Sequence, residues 1–189
     1  MKKILLIKSI LISLLFVVNI LGAETYTGTA LIYGIGMDTR VVTRTFTLRI
    51  NGETSNDQAQ EFLGILQQNG QDDLLKAINN ENLGNFSLGG NLARNLNVVR
   101  ESTVDGKKRI FAVFERWLQF GEIRGGYRSV DYPFSIIEIY VDEKTGKGDG
   151  TFIPAARIRW ISDKKTGQNT VEIENFATYP AKLMGVKQR

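Results

Sequence analysis

Residues 1–23 read as an export signal, and that reading decides what the rest of the chain has to build with. Lys2 and Lys3 precede an apolar run of Ile, Leu, Val and Phe that reaches Leu21, and Gly22-Ala23 gives a small-residue end before Glu24. Lys8 and Asn19 interrupt the run, so it is a poor permanent anchor; a spanning helix wants roughly 20 mostly apolar residues. An uncleaved anchor is the alternative, because Leu21 is a mediocre residue three positions before the cut. Cleavage after Ala23 leaves 166 of the 189 residues, expected in the periplasm or outside the cell, with no transmembrane segment.

Those 166 residues contain no cysteine and no histidine. The fold must therefore be held by its core alone, which one domain of this size can supply. Disulfides, thiol nucleophiles and thiolate metal sites are excluded. So are Ser-His-Asp and Cys-His catalysis and the usual zinc sites. Carboxylate chemistry, Lys- or Tyr-assisted chemistry and hard-cation oxygen sites are left. Losing Lys2, Lys3 and Lys8 lowers Lys+Arg from 24 to 21 against 20 acids, so the mature net charge is +1. The basic precursor is thus partly a property of its signal, and nucleic acid is not an expected partner.

Residues 24–189 are expected to form a single β-rich domain. Tyr26 to Tyr33 and Val41 to Ile50 read as strands; Phe46, Leu48 and Ile50 alternate with Thr45, Thr47 and Arg49. A helix pair follows over about 56–80. Ser55, Asn56 or Asp57 caps the first helix, and Ala59, Phe62, Leu63 and Leu66 form one apolar stripe. Gly70 stops it, and Asp72 and Asp73 begin a shorter helix with Leu74, Leu75 and Ile78 on its apolar side. Residues 92–104 and 107–120 flank Asp105-Gly106, a strong hairpin signal. Residues 134–142, a Gly-rich turn from Lys144 to Gly150, and segments 151–161, 168–176 and about 178–186 complete the chain. The expected fold is α+β, mostly antiparallel β. It has about eight strands in a curled sheet or partly closed barrel, with the helix pair inserted after strand 2.

Several runs resemble a family of uncharacterised bacterial exported proteins: Gly70-Gln71-Asp72-Asp73-Leu74-Leu75, Asp131-Tyr132-Pro133-Phe134 leading to Glu138, Glu174-Asn175-Phe176, and Pro180 with Leu183 and Val186. The resemblance spans roughly Phe46 to Val186. It implies export and a single domain; that family has no established activity, cofactor or site residues to carry over.

The first candidate site is the 119–133 loop. Phe120, Glu122, Arg124, Tyr127, Arg128, Asp131 and Tyr132 stand there among Gly121, Gly125 and Gly126. Arg124, Tyr127, Arg128, Asp131 and Tyr132 would bind a polar or sugar-like ligand by stacking and forked hydrogen bonds. Such a loop must hold its aromatics exposed; an ordinary connection packs them away. The second candidate is a charge ladder. If 151–161 pairs with 168–176, Trp160 faces Val171 and Ile158 faces Ile173, while Arg159 meets Glu172 and Arg157 meets Glu174, with Glu138 joining Arg157. Read functionally, Glu172 and Glu174 with Glu138 or Glu115 are catalytic carboxylates. Read plainly, they are a salt-bridged sheet face worth about 0.2–1 kcal/mol per pair. The run Asp142 to Gly150 superficially looks like a calcium loop, but Lys144 and Gly146 stand where oxygen ligands belong. A fourth possibility is an apolar cavity inside the sheet, lined by residues such as Phe111, Val113, Phe134, Ile137 and Trp160.

The composition favours an exported, non-enzymatic binding or interaction protein of the bacterial envelope, taking a small molecule or an envelope component and needing no cofactor or metal. A carboxylate-dependent hydrolase or lyase and a purely structural envelope protein are the alternatives.

Overall fold

The computed structural model describes residues 22–33, 41–116, 128–162, 169–176 and 179–189. All of its strands belong to one antiparallel sheet. β1 (Glu24–Tyr33) and β2 (Val41–Ile50) form a hairpin, followed by α1 (Asn56–Asn69) and α2 (Gln71–Ile78). Then come β3 (Gly84–Leu88), β4 (Arg94–Asn95), β5 (Val98–Val104), β6 (Lys107–Glu115), a short 3-10 helix (Arg128–Asp131) and β7 (Phe134–Asp142). β8 (Lys147–Ser162), β9 (Asn169–Asn175) and β10 (Ala181–Gln188) finish the chain. The strand order is β4-β3-β2-β1-β10-β8-β7-β6-β5, with β9 added beside β8.

The described residues thus form ten strands, where the sequence pattern suggests eight. The segment 92–104 divides into β4 and β5, and β3 is a further short strand. β6 ends at Glu115, and residues 117–120 lie outside the described residues. The helix pair follows β2 and ends at Ile78. The turn before β8 is shorter than expected, because pairing with β7 already begins at Asp142↔Lys147. Asp142 makes that turn: its Oδ1 accepts from the Lys144 and Thr145 amides at 3.0 and 2.8 Å. Those backbone bonds, with the Thr145 hydroxyl, hold its carboxyl below the usual range. That oxygen is thus engaged by the turn.

The sheet curls but does not close; β4 and β5 are its two ends. One face carries the main core, where Tyr26, Leu48, Ile110, Ile139 and Leu183 are fully buried. Phe86 fills its middle, with ring centroids 6.1, 5.8 and 5.1 Å from Phe46, Phe114 and Phe152. The expected interior cavity is thus divided: Phe114, Ile137, Ile139 and Phe152 pack in this core. Val113, Phe134, Phe111 and Trp160 turn to the other face, which the helix pair covers. Double coverage explains why Phe134, Ser135, Ile136 and Ile137 are buried in succession rather than in alternation.

The helices form where their caps say. Ser55 and Gln58 make a reciprocal capping box, and Gly70 ends α1 with φ of 84°. No described helix is long and apolar enough to cross a membrane.

The β8–β9 ladder has the register that the alternation predicts: Trp160↔Val171, Ile158↔Ile173, Arg159↔Glu172 and Arg157↔Glu174. A slip of one residue would have turned every side chain over. The ion pairs differ from expectation in two respects. Arg159 reaches both Glu172 at 2.7 Å and Glu174 at 2.9 Å, and Glu138 pairs with Arg109 at 2.6 Å rather than with Arg157.

Candidate functional site

The second face is only partly filled. β8 pairs with β7 as far as Ala156 and then runs on beside β9 alone. This overhanging hairpin presents Ile158, Val171 and Ile173 to the helices, and Val171 and Ile173 stay 36 % and 39 % exposed. Opposite them, the α1 stripe buries Leu66 but leaves Leu63 36 % exposed. Between the two lies an apolar cleft of about 240 Å³. Phe62, Leu63, Leu66, Leu74 and Ile78 form its helical wall; Val98, Phe111, Val113, Ile158, Val171 and Ile173 form its sheet wall.

The helix pair is tied to the sheet at the start of each helix. At the start of α1, Arg100 donates to the Thr54 carbonyl at 2.6 Å and to Asn56 Oδ1 at 2.7 Å. Thr54 in turn exchanges hydrogen bonds with Val99: its amide reaches the Val99 carbonyl at 2.8 Å, and its hydroxyl accepts from the Val99 amide at 3.0 Å. At the start of α2, Gln71 donates to the Asp131 carbonyl at 3.0 Å and accepts from the Ile158 amide at 3.4 Å. Leu66, Leu74 and Ile78 pack onto the sheet beside these ties, and the cleft is left between α1 and the overhanging hairpin.

A second hollow of about 360 Å³ adjoins the cleft through two shared wall residues, Leu66 and Ile158. Gln67, Gly70, Gln71, Arg157, Arg159 and Trp160 complete it. Its lining is more polar than that of the cleft.

The loop residues expected to bind a ligand separate. Arg124 and Tyr127 lie outside the described residues, as does the side chain of Arg128, whose backbone opens the 3-10 helix. Asp131 is exposed, and it is its carbonyl that Gln71 uses. Tyr132 corrects the expectation of exposed aromatics. It is 3 % exposed, its ring lies 5.0 Å from Phe176, and its hydroxyl donates to Glu174 Oε1 at 2.6 Å. Arg116 braces the same turn by donating to the carbonyls of Tyr132 and Ser129 at 3.0 and 2.9 Å. Tyr132 is packing material.

The candidate carboxylates are dispersed as well. Glu172, Glu174 and Glu138 are matched to arginines. Glu115 lines a separate polar hollow of about 170 Å³ with Arg94 and Asn97.

A cluster that sequence reading does not foresee joins β1 to β5 and β6. Lys108 reaches Glu24 at 2.7 Å and Glu101 at 2.8 Å, and the Tyr26 hydroxyl donates to Glu24. Glu101 Oε1 is buried with no hydrogen-bond partner among the described residues. Burial alone would raise the Glu24 carboxyl; hydrogen bonds from Lys108 and Tyr26, with the Lys108 charge, outweigh it and hold it low. Burial and the Glu24 carboxylate push Tyr26 well above its ordinary range. Burial would lower Lys108, but its two carboxylate partners outweigh that and raise it. These three groups are locked in their usual charge states. The arrangement is a clamp and is poorly suited to proton transfer near neutral pH.

No family model matches the chain, and neither a curated protein nor a solved structure matches it.

Proposed function

We propose that this is an exported, non-enzymatic binding protein of the bacterial cell envelope, whose helix-roofed cleft takes an apolar small molecule or chain. The observation that carries the reading is the cleft itself, with apolar walls from two layers and a roof tied to the sheet at the start of each helix. Sites of this kind are typically concave, apolar and largely pre-formed. Hydrolysis by carboxylates has less support, because Glu138, Glu172 and Glu174 are each engaged in an ion pair with an arginine.

The neutral fluorophore N-phenyl-1-naphthylamine should bind saturably, one per chain. Ile173→Asp places a carboxylate in the sheet wall at a position 39 % exposed, so the fold should survive with a loss of about 1 kcal/mol. Probe binding should be lost. Unchanged binding in a folded Ile173→Asp variant would contradict the reading.

Export is supported by the leader and by the exposure of Gly22 and Ala23 immediately before β1, where a peptidase can reach them. Intact-mass measurement on secreted material should give a chain beginning at Glu24. A full-length, detergent-requiring species would favour an anchor.

A further inference from the structure

We infer that β3, β2, β1 and β10 present a second binding surface, on the side of the sheet away from the main core, and that its occupant is a linear anionic glycan. This surface is independent of the cleft. The helix pair packs over residues of β5, β6, β7 and β8, and no residue of β1, β2, β3 or β10 joins the core beneath it. Alternation sends Tyr26, Ala30, Phe46 and Leu48 to the main core and their neighbours to the open side. The register then sets Thr27 beside Thr47 and Thr29 beside Thr45, with Ser87 flanking Thr47. At one end of this strip the Tyr33 ring meets that of Tyr179, which is 72 % exposed, with centroids 6.0 Å apart. At the other end Arg49 stands beside Thr25. At strand rise the strip is about 27 Å long from Thr25 to Tyr33.

The strip is cationic. β2, β3 and β10 contain no acidic residue, and the one in β1, Glu24, is taken by Lys108. Arg49, Lys182 and Lys187 share the open side as cross-strand neighbours of Thr25, Leu31 and Thr27. Lys147 of β8 stands directly opposite Lys187. These four side chains are exposed and have no ion pair among the described residues. The bordering carboxylates are engaged elsewhere: Asp142 Oδ1 accepts from its own turn, and Asp149 Oδ1 accepts from the Gly185 amide at 3.1 Å. Like charges directly opposite in a sheet destabilise it. Residues 24–189 carry a net charge of only +1, so overall composition does not account for the cluster. An anion spanning the strands would offset the repulsion. Hydroxyls at sheet spacing, an exposed aromatic ring and unmatched cations together suit a sugar chain that bears anionic groups. With hydroxyls along the middle and lysines down the β10 flank, the strip fits a chain lying along β1 rather than an extended lipid surface.

Titration calorimetry at low salt tests this with polygalacturonate and with its fully methyl-esterified, uncharged form. The wild-type chain should bind polygalacturonate saturably, about tenfold or more tighter than the ester, and should lose affinity as salt is added. Arg49→Glu combined with Lys187→Glu should remove most of the binding. Thr27→Val combined with Thr47→Val keeps shape and strand propensity at both positions and should weaken binding severalfold. None of these four positions is buried, so both variants should stay folded by circular dichroism. Equal affinity for the acid and the ester, or binding of neither, would overturn the inference and leave the cleft reading intact. Duplex DNA bound as tightly as polygalacturonate, with no effect of the two valines, would overturn the glycan assignment. Sedimentation with phosphatidylglycerol vesicles, without binding of polygalacturonate, would overturn it in favour of a membrane surface. If the charge-reversed variant fails to fold, the wild-type ratio of acid to ester and the valine variant decide.

Discussion

Gly148→Ala and Gly150→Ala should each destabilise the protein by more than about 3 kcal/mol, at or above the top of the usual overpacking range. Both glycines lie in β8 where it passes between β10 and β7: Gly148 faces Val141 and Val186, and Gly150 faces Ile139 and Leu183. A Cβ at Gly148 would stand 1.9 Å from the Tyr140 carbonyl oxygen, and one at Gly150 would stand 2.3 Å from that of Glu138. Backbone oxygens within a ladder cannot swing aside as a side-chain tip can. The close approach of β7 to β8 thus depends on two missing side chains. Gly64→Ala, in α1 with nothing within 4 Å of the added carbon, should act in the opposite sense. It should stabilise by about 0.5–1 kcal/mol through helix propensity. Urea melts of the three variants check both signs. A cost below about 1 kcal/mol at Gly148, the low edge of that range, would contradict the described path of β8.

Lys108→Met should cost about 2–4 kcal/mol at pH 7, because it leaves two carboxylates without their shared cation. The side chains of Lys108, Glu24 and Glu101 keep 19 %, 24 % and 18 % of their surface, which sets the estimate below that for a fully buried pair. The pH dependence has a definite sign. Glu24 is depressed in the folded state, so its contribution is present above its ordinary value of 4.5 and is lost as pH falls through the folded value. Lys108 is raised, so its contribution is present below 10.5 and is lost as pH climbs through the folded value. The penalty of Lys108→Met should therefore be largest near neutral pH and shrink toward pH 4, where the orphaned carboxylates take up protons. A penalty that does not vary with pH would mean that Lys108 acts by packing.

Much of this architecture is legible in the sequence, where one element suffices to show it. The β8–β9 register follows from apolar and charged residues alternating over both strands, and α1 follows from Ser55, its stripe and Gly70. β3 escapes notice because Gly84-Asn-Phe-Ser-Leu is short and half polar, and Gly84 enters it at φ of 144°. Tyr132 misleads because its burial depends on Phe176 and Glu174, more than forty positions away. The Glu24–Lys108 contact spans 84 positions and has no local signature. The cleft is illegible for the same reason. Each wall reads as an ordinary apolar face, and only the exposure of Leu63, Val171 and Ile173 in the folded chain shows that the two faces do not fully meet.

The most direct measurement is a methyl NMR titration of the mature chain with dodecanol. The account predicts saturable shifts confined to methyls of the cleft walls, notably Leu63, Val98, Ile158, Val171 and Ile173, with the main-core methyls of Ile139, Leu183 and Val186 unmoved. Shifts centred on the main core or on an exposed residue such as Leu92, or no saturable shift at the cleft, would contradict it.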